Sequence, residues 1–403
     1  MNTTAGTPAA PTQEIRAGID SMIRRVQSGD VGSLPVVLGL VLIWAVFQFL
    51  NPNFLSSRNL TNLSVQVTDF GVVSIGIVLV LLLGEIDLSV GSVYGLGSSV
   101  MAVLAVNRGW PAAPAIIAGL VTGLAIGTLH GFWYTRFRIP SFVVTLAGLL
   151  AWFGAQLAVL GQTGTINLYD PAIEALAGSF FDPIVGWAIA AVVIAVLFVD
   201  VFIRRRRRAS SGLPPTSLLG DLAKFVIIAA VILAATTVFA TDRGVPLAIL
   251  IFVGLVVIFD LITTRTRFGR HIYAVGGSAE AARRAGIPVN LIRVVVFAIS
   301  GTMAAAGGIM AGSRLFAVNY SSGTGDILLN AIAAAVIGGT SLFGGRGTVW
   351  SALTGALVIG SINNGLALLS ASSSIKFMTT GGVLLAAVTI DALARQGRQR
   401  AGV

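Results

Sequence analysis

Apolar runs of about twenty residues recur along almost the whole chain, and no other feature restricts its fold so strongly. Inside lipid a backbone must satisfy its own polar groups, so such runs become helices. Hydrophobic residues make up 55% of the chain and charged residues 10%. Mean hydropathy is +0.91, whereas a soluble domain needs far more polar surface. The sequence therefore predicts an all-α fold, a polytopic bundle of membrane helices. The runs fall at 34–50, 65–83, 90–106, 113–134, 141–161, 183–203, 222–241, 245–263, 289–312, 327–343, 348–370 and 376–393. That is about twelve hydrophobic segments.

Charge fixes their orientation. With the N-terminus inside, Arg136 and Arg138, the run Arg204–Arg208, the arginines between Arg265 and Arg284, and Arg395–Arg400 all reach one side. A shift of one span would scatter them, and positive residues collect on the cytoplasmic side. The expected topology is an inner-membrane protein with both termini cytoplasmic. The formal charge of +10 is accounted for by these loops, so no nucleic-acid partner is expected. Residues 1–33 form a cytoplasmic N-terminal segment, with a surface-lying amphipathic helix over 13–27 and no cleavable signal. Residues 34–393 are the membrane domain and 394–403 a cytoplasmic tail.

Two segments are interrupted. Residues 84–99 read GEIDLSVGSVYGLGSS and residues 336–348 read VIGGTSLFGGRGT. Irregular backbone at membrane depth is tolerated where it packs in protein or lines a wet cavity. The two echo one another, with Gly84, Leu88 and Gly91 matching Gly338, Leu342 and Gly345, which hints at two related halves.

Acids within spans default to a functional reading. Glu85 and Asp87, with Ser89, are candidates to line a polar substrate path. Alternatively, D-L-S-V-G-S starts a helix capped by Asp87 and Ser89, and Glu85 sits at the interface. Asp69, near the start of its run, is expected at the interface. Asn363 and Asn364 are adjacent amides in an apolar helix. They either line the path or bond to a neighbouring helix.

The longest polar interruption in the second half is TRTRFGRHIYAVGGSAEAARRAGIPVN, Thr264 to Asn290. Ser278 can cap a short helix there, Glu280 suits its positive end, and Gly286 with Pro288 stops it. Another protein could grip such a helix. The plainer alternative is a solvated basic loop.

Several chemistries are excluded. With no cysteine, there is no disulfide, iron–sulfur cluster or thiolate zinc site. His130 and His271 stand far apart, so no metal or other cofactor is expected. Lys224 and Lys376 are the only lysines, and neither follows a glycine-rich phosphate loop. The chain is not expected to hydrolyse ATP or to be an enzyme. Its spans lack the distributed charges of a proton- or voltage-driven machine.

Six stretches in order, FLSSRNLTNLSVQ, GEIDLSVGS, GFWYTRFRIPSFVVTLAGLL, TRTRFGRHIYAVGGSAEAARRAGI, AIAAAVIGGTSLFGGRGT and GSINNGLALL, resemble one family. It comprises the permease subunits of bacterial ATP-binding-cassette importers for monosaccharides, of the ribose/xylose type. GEIDLSVGS joined to IPSFVVTLAGLL looks most like the xylose-transporting members. So does the hydrophobic pair within 183–241, an insert beyond a core of about ten spans. The resemblance implies a separate ATP-hydrolysing subunit, an extracytoplasmic sugar-binding protein and a second permease copy in a homodimer. It also implies that 264–290 carries the ATPase-coupling helix, with Ser278, Glu280, Ala281, Ala282, Arg283 and Gly286 as its contact set. The chain departs from the family at Ser278, where Asn is usual, and at His130, where Asn or Gln is usual. The expected cargo is D-xylose or a related sugar. The competing readings are an ion-coupled secondary transporter, also built from repeats and broken helices, and a membrane scaffold that transports nothing.

Overall fold

The computed structural model describes residues 34–212, 218–324 and 326–400. The N-terminal segment, its amphipathic helix and the last tail residues lie outside the described residues. Every apolar run coincides with a helix: α1 (Leu34–Leu50), α2 (Ser57–Gln66), α3 (Thr68–Leu82), α4 (Val90–Ala102), α5 (Ala112–Phe137), α6 (Ser141–Leu160), α7 (Pro171–Gly178), α8 (Pro183–Ser210), α9 (Leu218–Ala240), α10 (Leu247–Arg265), α11 (Arg267–Gly277), α12 (Ala279–Arg284), α13 (Val289–Leu315), α14 (Ile327–Ile337), α15 (Trp350–Leu368) and α16 (Ser373–Arg400). Of these, α7, α11 and α12 lie between the runs, as does all of α2 but its last two residues. Eight helices among the described residues are long and apolar enough to cross a membrane, or nine if the α2–α3 pair, bent by 43°, counts as one.

The core forms around α3. Beyond Thr68, Asp69 and Ser74 it is apolar on every side, and all of its residues are buried, as expected of a helix with no polar face. It packs on α13, α14, α15 and α10. Beside it runs the closest helix pair, α5 against α13. Gly119, Gly123, Gly127 and Gly131 recur every four residues, which places them on one face of α5. A Cβ at Gly123 would stand 2.2 Å from the Gly301 carbonyl oxygen, and one at Gly127 would stand 2.1 Å from that of Phe297. Small residues let the two backbones meet, which is how helices gain contact in lipid without a hydrophobic driving force.

Two ends of the bundle can be told apart. At one, the α3 C-terminus, the α5 C-terminus and the N-termini of α6 and α13 are tied together by the side chain of Glu85. The helices α11 and α12 lie at this end. At the other, two short antiparallel ladders close the bundle: β1 (Thr165–Asn167) with β4 (Ala317–Asn319), and β2 (Phe180–Phe181) with β3 (Val245–Pro246). Asp69 lies near this second end. It is 3% exposed and paired with Arg314 at 3.0 Å. Its side chain is therefore enclosed by protein at that end of the bundle. A partner 245 residues away brings the compensating charge into the fold.

Helices α8 and α9 stand at the periphery. They pack on each other, and Phe198 lies 5.5 Å from Phe225 between ring centres. Their buried residues are Gly186, Ala190 and Thr236.

Candidate functional site

The interruptions in 84–99 and 336–348 meet in space. α3 ends at Leu82, and the chain does not resume helix until Val90. α14 ends at Ile337, and helix resumes at Trp350. Gly345 N–H donates to the Leu82 carbonyl at 2.9 Å. Gly84, Gly344 and Gly345 all have positive φ, at 77°, 83° and 71°, a region glycine enters without a Cβ penalty. Each break therefore satisfies part of the other's freed backbone, the condition for irregular chain at membrane depth.

Side chains on neighbouring helices hold the first break. Glu85 accepts from the Tyr134 hydroxyl, from Ser141 Oγ at 2.8 Å and from Arg293 at 3.0 Å. The Arg293 guanidinium lies 4.8 Å from the centre of the Tyr134 ring. Asp87 is buried and accepts from Ser89 N–H at 3.0 Å, Ser89 Oγ at 2.6 Å and Ser300 Oγ at 2.9 Å. Trp152 Nε1 donates to His130 Nε2 at 2.9 Å. An indole N–H can only donate, so Nε2 is an acceptor and the ring proton sits on Nδ1. Nδ1 faces Ser89 Oγ at 3.2 Å. The chain of bonds thus runs Trp152, His130, Ser89, Asp87. Ser89 turns its hydroxyl back to Asp87 and makes no side-chain cap to α4. Glu85 is largely enclosed by protein, at 13% side-chain exposure. All three sequence candidates are occupied by protein partners in this conformation. Their bonds to the protein shape the break.

The two asparagines separate. Asn364 is buried, accepts from Asn59 Nδ2 at 2.8 Å and donates to Gln66 Oε1 at 3.2 Å, so its amide joins α15 to α2. Asn363 is half-buried, and no hydrogen bond engages its side chain among the described residues. Its amide is thus uncommitted among the described residues. We expect Asn363→Ala to lower uptake several-fold with melting unchanged. Asn364→Ala should cost about 1–2 kcal/mol of stability by stranding Asn59 and Gln66. Thermal unfolding in detergent, paired with uptake, separates the two.

The basic loop contains two helices, where the sequence suggested one. Thr266 caps α11 by accepting from Gly269 N–H at 3.2 Å. Ile272 and Val275 bury one side of it. Tyr273 donates to the Gly347 carbonyl at 2.9 Å. Burial pushes its phenol above the ordinary range, with Asp260 adding to the effect, so it stays a donor. Gly276 lies where a Cβ would stand 1.8 Å from the Leu82 carbonyl oxygen and 2.7 Å from Gly345 N. Helix α11 therefore rests on both breaks at their point of contact.

Ser278 caps α12, accepting from Ala281 N–H at 3.2 Å, and Glu280 pairs with Arg284 one turn on. Gly286 ends the helix with φ of 80°. Ala281 and Arg283 are exposed. Ala282 is not. At 4% exposure it faces the chain's own core, so the expected outward contact at this position is corrected. Helical geometry puts successive residues about 100° apart, and the sequence alone gave no phase for so short a helix.

In the sequence, His130 argues against a metal site and departs from a family pattern, and nothing there places it beside Asp87 and Ser89. An ionisable residue within a span was the signal that could have found it. Among the described residues, no three His, Asp or Glu side chains are grouped so as to hold a metal.

Compared with known proteins, the chain matches over residues 59–388 the family described as branched-chain amino acid transport system / permease component. It is 37% identical over 343 residues to the xylose transport system permease protein XylH of Escherichia coli (strain K12), covering 85% of this chain and 87% of that protein. It is 31% identical over 355 residues to the ribose import permease protein RbsC of the same organism, covering 88% and 92%. The D-allose transport system permease protein AlsC of that organism is likewise 31% identical, covering 88% and 90%. No solved structure matches the chain.

Proposed function

This chain belongs to the branched-chain amino acid transport system / permease component family, among the ribose/xylose-type sugar permeases of ATP-binding-cassette importers, and on that premise we propose that it carries D-xylose or a related monosaccharide across a bacterial inner membrane. It is a multi-pass helical membrane protein and the permease component of a sugar importer. Membership implies an ATPase and a sugar-binding protein as partners. That the ATPase is a separate chain is supported by the lack of a phosphate loop beside either lysine. Two permease copies forming one pore, with both termini cytoplasmic, complete the reading.

The observation that carries it is the seating of α11 on the paired breaks. Uphill import needs an engine whose two states interact differently with the permease. Helix α12 offers the engine an exposed face at Ala281 and Arg283. Its capped start and glycine stop make it rigid enough to pass on a displacement. The displacement reaches α11 and from there both breaks, which then part or close. A neutral sugar needs no charged relay, in keeping with Glu85 and Asp87 being spent on structure.

The test is uptake of radiolabelled D-xylose in cells with and without this protein, with the ATPase and binding protein present. ATP-dependent accumulation only when the chain is present is the expected result. Accumulation of xylose unchanged by its loss would overturn the cargo assignment.

A further inference from the structure

From helices α8 and α9 we infer a binding site for an anionic phospholipid, formed by the arginine end of α8 and the apolar cleft beside it. The observation is an imbalance of partners. In the run Arg204–Arg208, Arg204 pairs with Asp200 and Arg205 with Asp221. Arg206, Arg207 and Arg208 are exposed and have no ion pair among the described residues. One turn or two further into the helix, Phe198, Val199, Phe202 and Ile203 are exposed by 44%, 52%, 58% and 43%. Together with Arg205, Arg206, Arg208 and Ala209 they line one cleft along α8.

The position decides what covers this surface. Helices α8 and α9 join the bundle near its opposite end, at Gly186, Ala190 and Thr236, and among the described residues none is buried at the arginine end. This end therefore stands clear of the other described residues of the bundle. In a bilayer the exposed aromatic and branched side chains are covered by acyl chains. The guanidinium groups then stand at headgroup depth, where they offer planar, paired donors to a phosphate. Basic clusters at the end of membrane helices attract anionic lipid, and each arginine contributes about fivefold in affinity.

A second copy of the chain is the competing occupant. A two-fold axis along the membrane normal would bring the same arginines from both copies to the same depth. Like charges would then face each other, so the lipid is favoured.

The experiment is native mass spectrometry of the purified full chain titrated with palmitoyl-oleoyl phosphatidylglycerol or with the matching phosphatidylcholine. The wild type should retain phosphatidylglycerol at least about tenfold more tightly. The combined variant Arg206→Gln, Arg207→Gln, Arg208→Gln should lose on the order of 100-fold of that affinity. The corresponding triple lysine variant keeps the charge and should retain most of it, which guards against a misfolded glutamine variant. Arg136→Gln with Arg138→Gln, a basic pair elsewhere, should leave the affinity unchanged. Equal retention of both lipids by the wild type, or no loss in the glutamine variant, would overturn the site. Dissociation of a dimer in that variant, with lipid retention intact, would instead assign the face to a second copy.

Discussion

Gly276→Val should reduce sugar uptake by more than about tenfold, while the chain still inserts and still recruits its ATPase. A Cβ at this position would stand 1.8 Å from the Leu82 carbonyl oxygen and 2.7 Å from Gly345 N. Both are backbone atoms and cannot swing aside as a side chain would. Either α11 lifts off the breaks, or the Gly345–Leu82 hydrogen bond of 2.9 Å opens. In both cases the engine's stroke is delivered to the wrong place, and a displacement near one ångström is enough to defeat such a device. The neighbouring Gly277 is the control. Nothing lies within 4 Å of its Cβ position, so Gly277→Val should transport nearly as the wild type does. Equal uptake by the two variants would show that the contact beneath α11 carries no coupling.

The second large effect is expected at the opposite end. Arg314→Met should destabilise the bundle by about 3–5 kcal/mol, because it strands the Asp69 carboxylate in the core. Asp69 is 3% exposed and bonded to Arg314 at 3.0 Å. Its other oxygen accepts from Phe70 N–H at 2.7 Å, which does not replace a counter-charge. Adding Asp69→Asn to Arg314→Met removes the stranded charge and should recover most of the loss. Thermal unfolding of the three variants in detergent decides it. If Arg314→Met melts with the wild type, the pair is dispensable and the burial argument fails.

The contrast between these sites shows what a sequence can disclose. Each apolar run became a helix because lipid leaves the backbone no other choice over such a length. The two breaks were legible because glycines and acids interrupt the runs, and their likeness to one another hinted at related halves. That they touch was not legible, since Leu82 and Gly345 meet only after many helices have packed. The same holds for Asp69, whose partner lies 245 residues on, and for Asn364, whose partners Asn59 and Gln66 come from α2. An ionisable or amide side chain in a span announces a need for a partner, and the sequence alone does not name that partner. Helix α11 was missed for a different reason. Arginines at 265, 267 and 270 marked the stretch as a loop, while Phe268, Ile272 and Val275 already traced one helical face. The cap at Ser278 and the stop at Gly286 were found because those signals are local.

The central claim is that ATP energy enters through the exposed face of α12 and reaches the breaks through α11. The chain has no cysteine of its own, so a single Ala281→Cys variant can be modified at that face alone. The direct measurement is ATP-driven D-xylose uptake into vesicles carrying the importer, assembled with the variant either unlabelled or coupled to a bulky maleimide. The account predicts near-normal uptake without the label. With it, uptake should fall to about a tenth or less, and the ATPase should no longer co-purify or should hydrolyse ATP without transport. Equal uptake and equal ATPase recovery in both preparations would contradict the account and leave 264–290 a solvated basic loop.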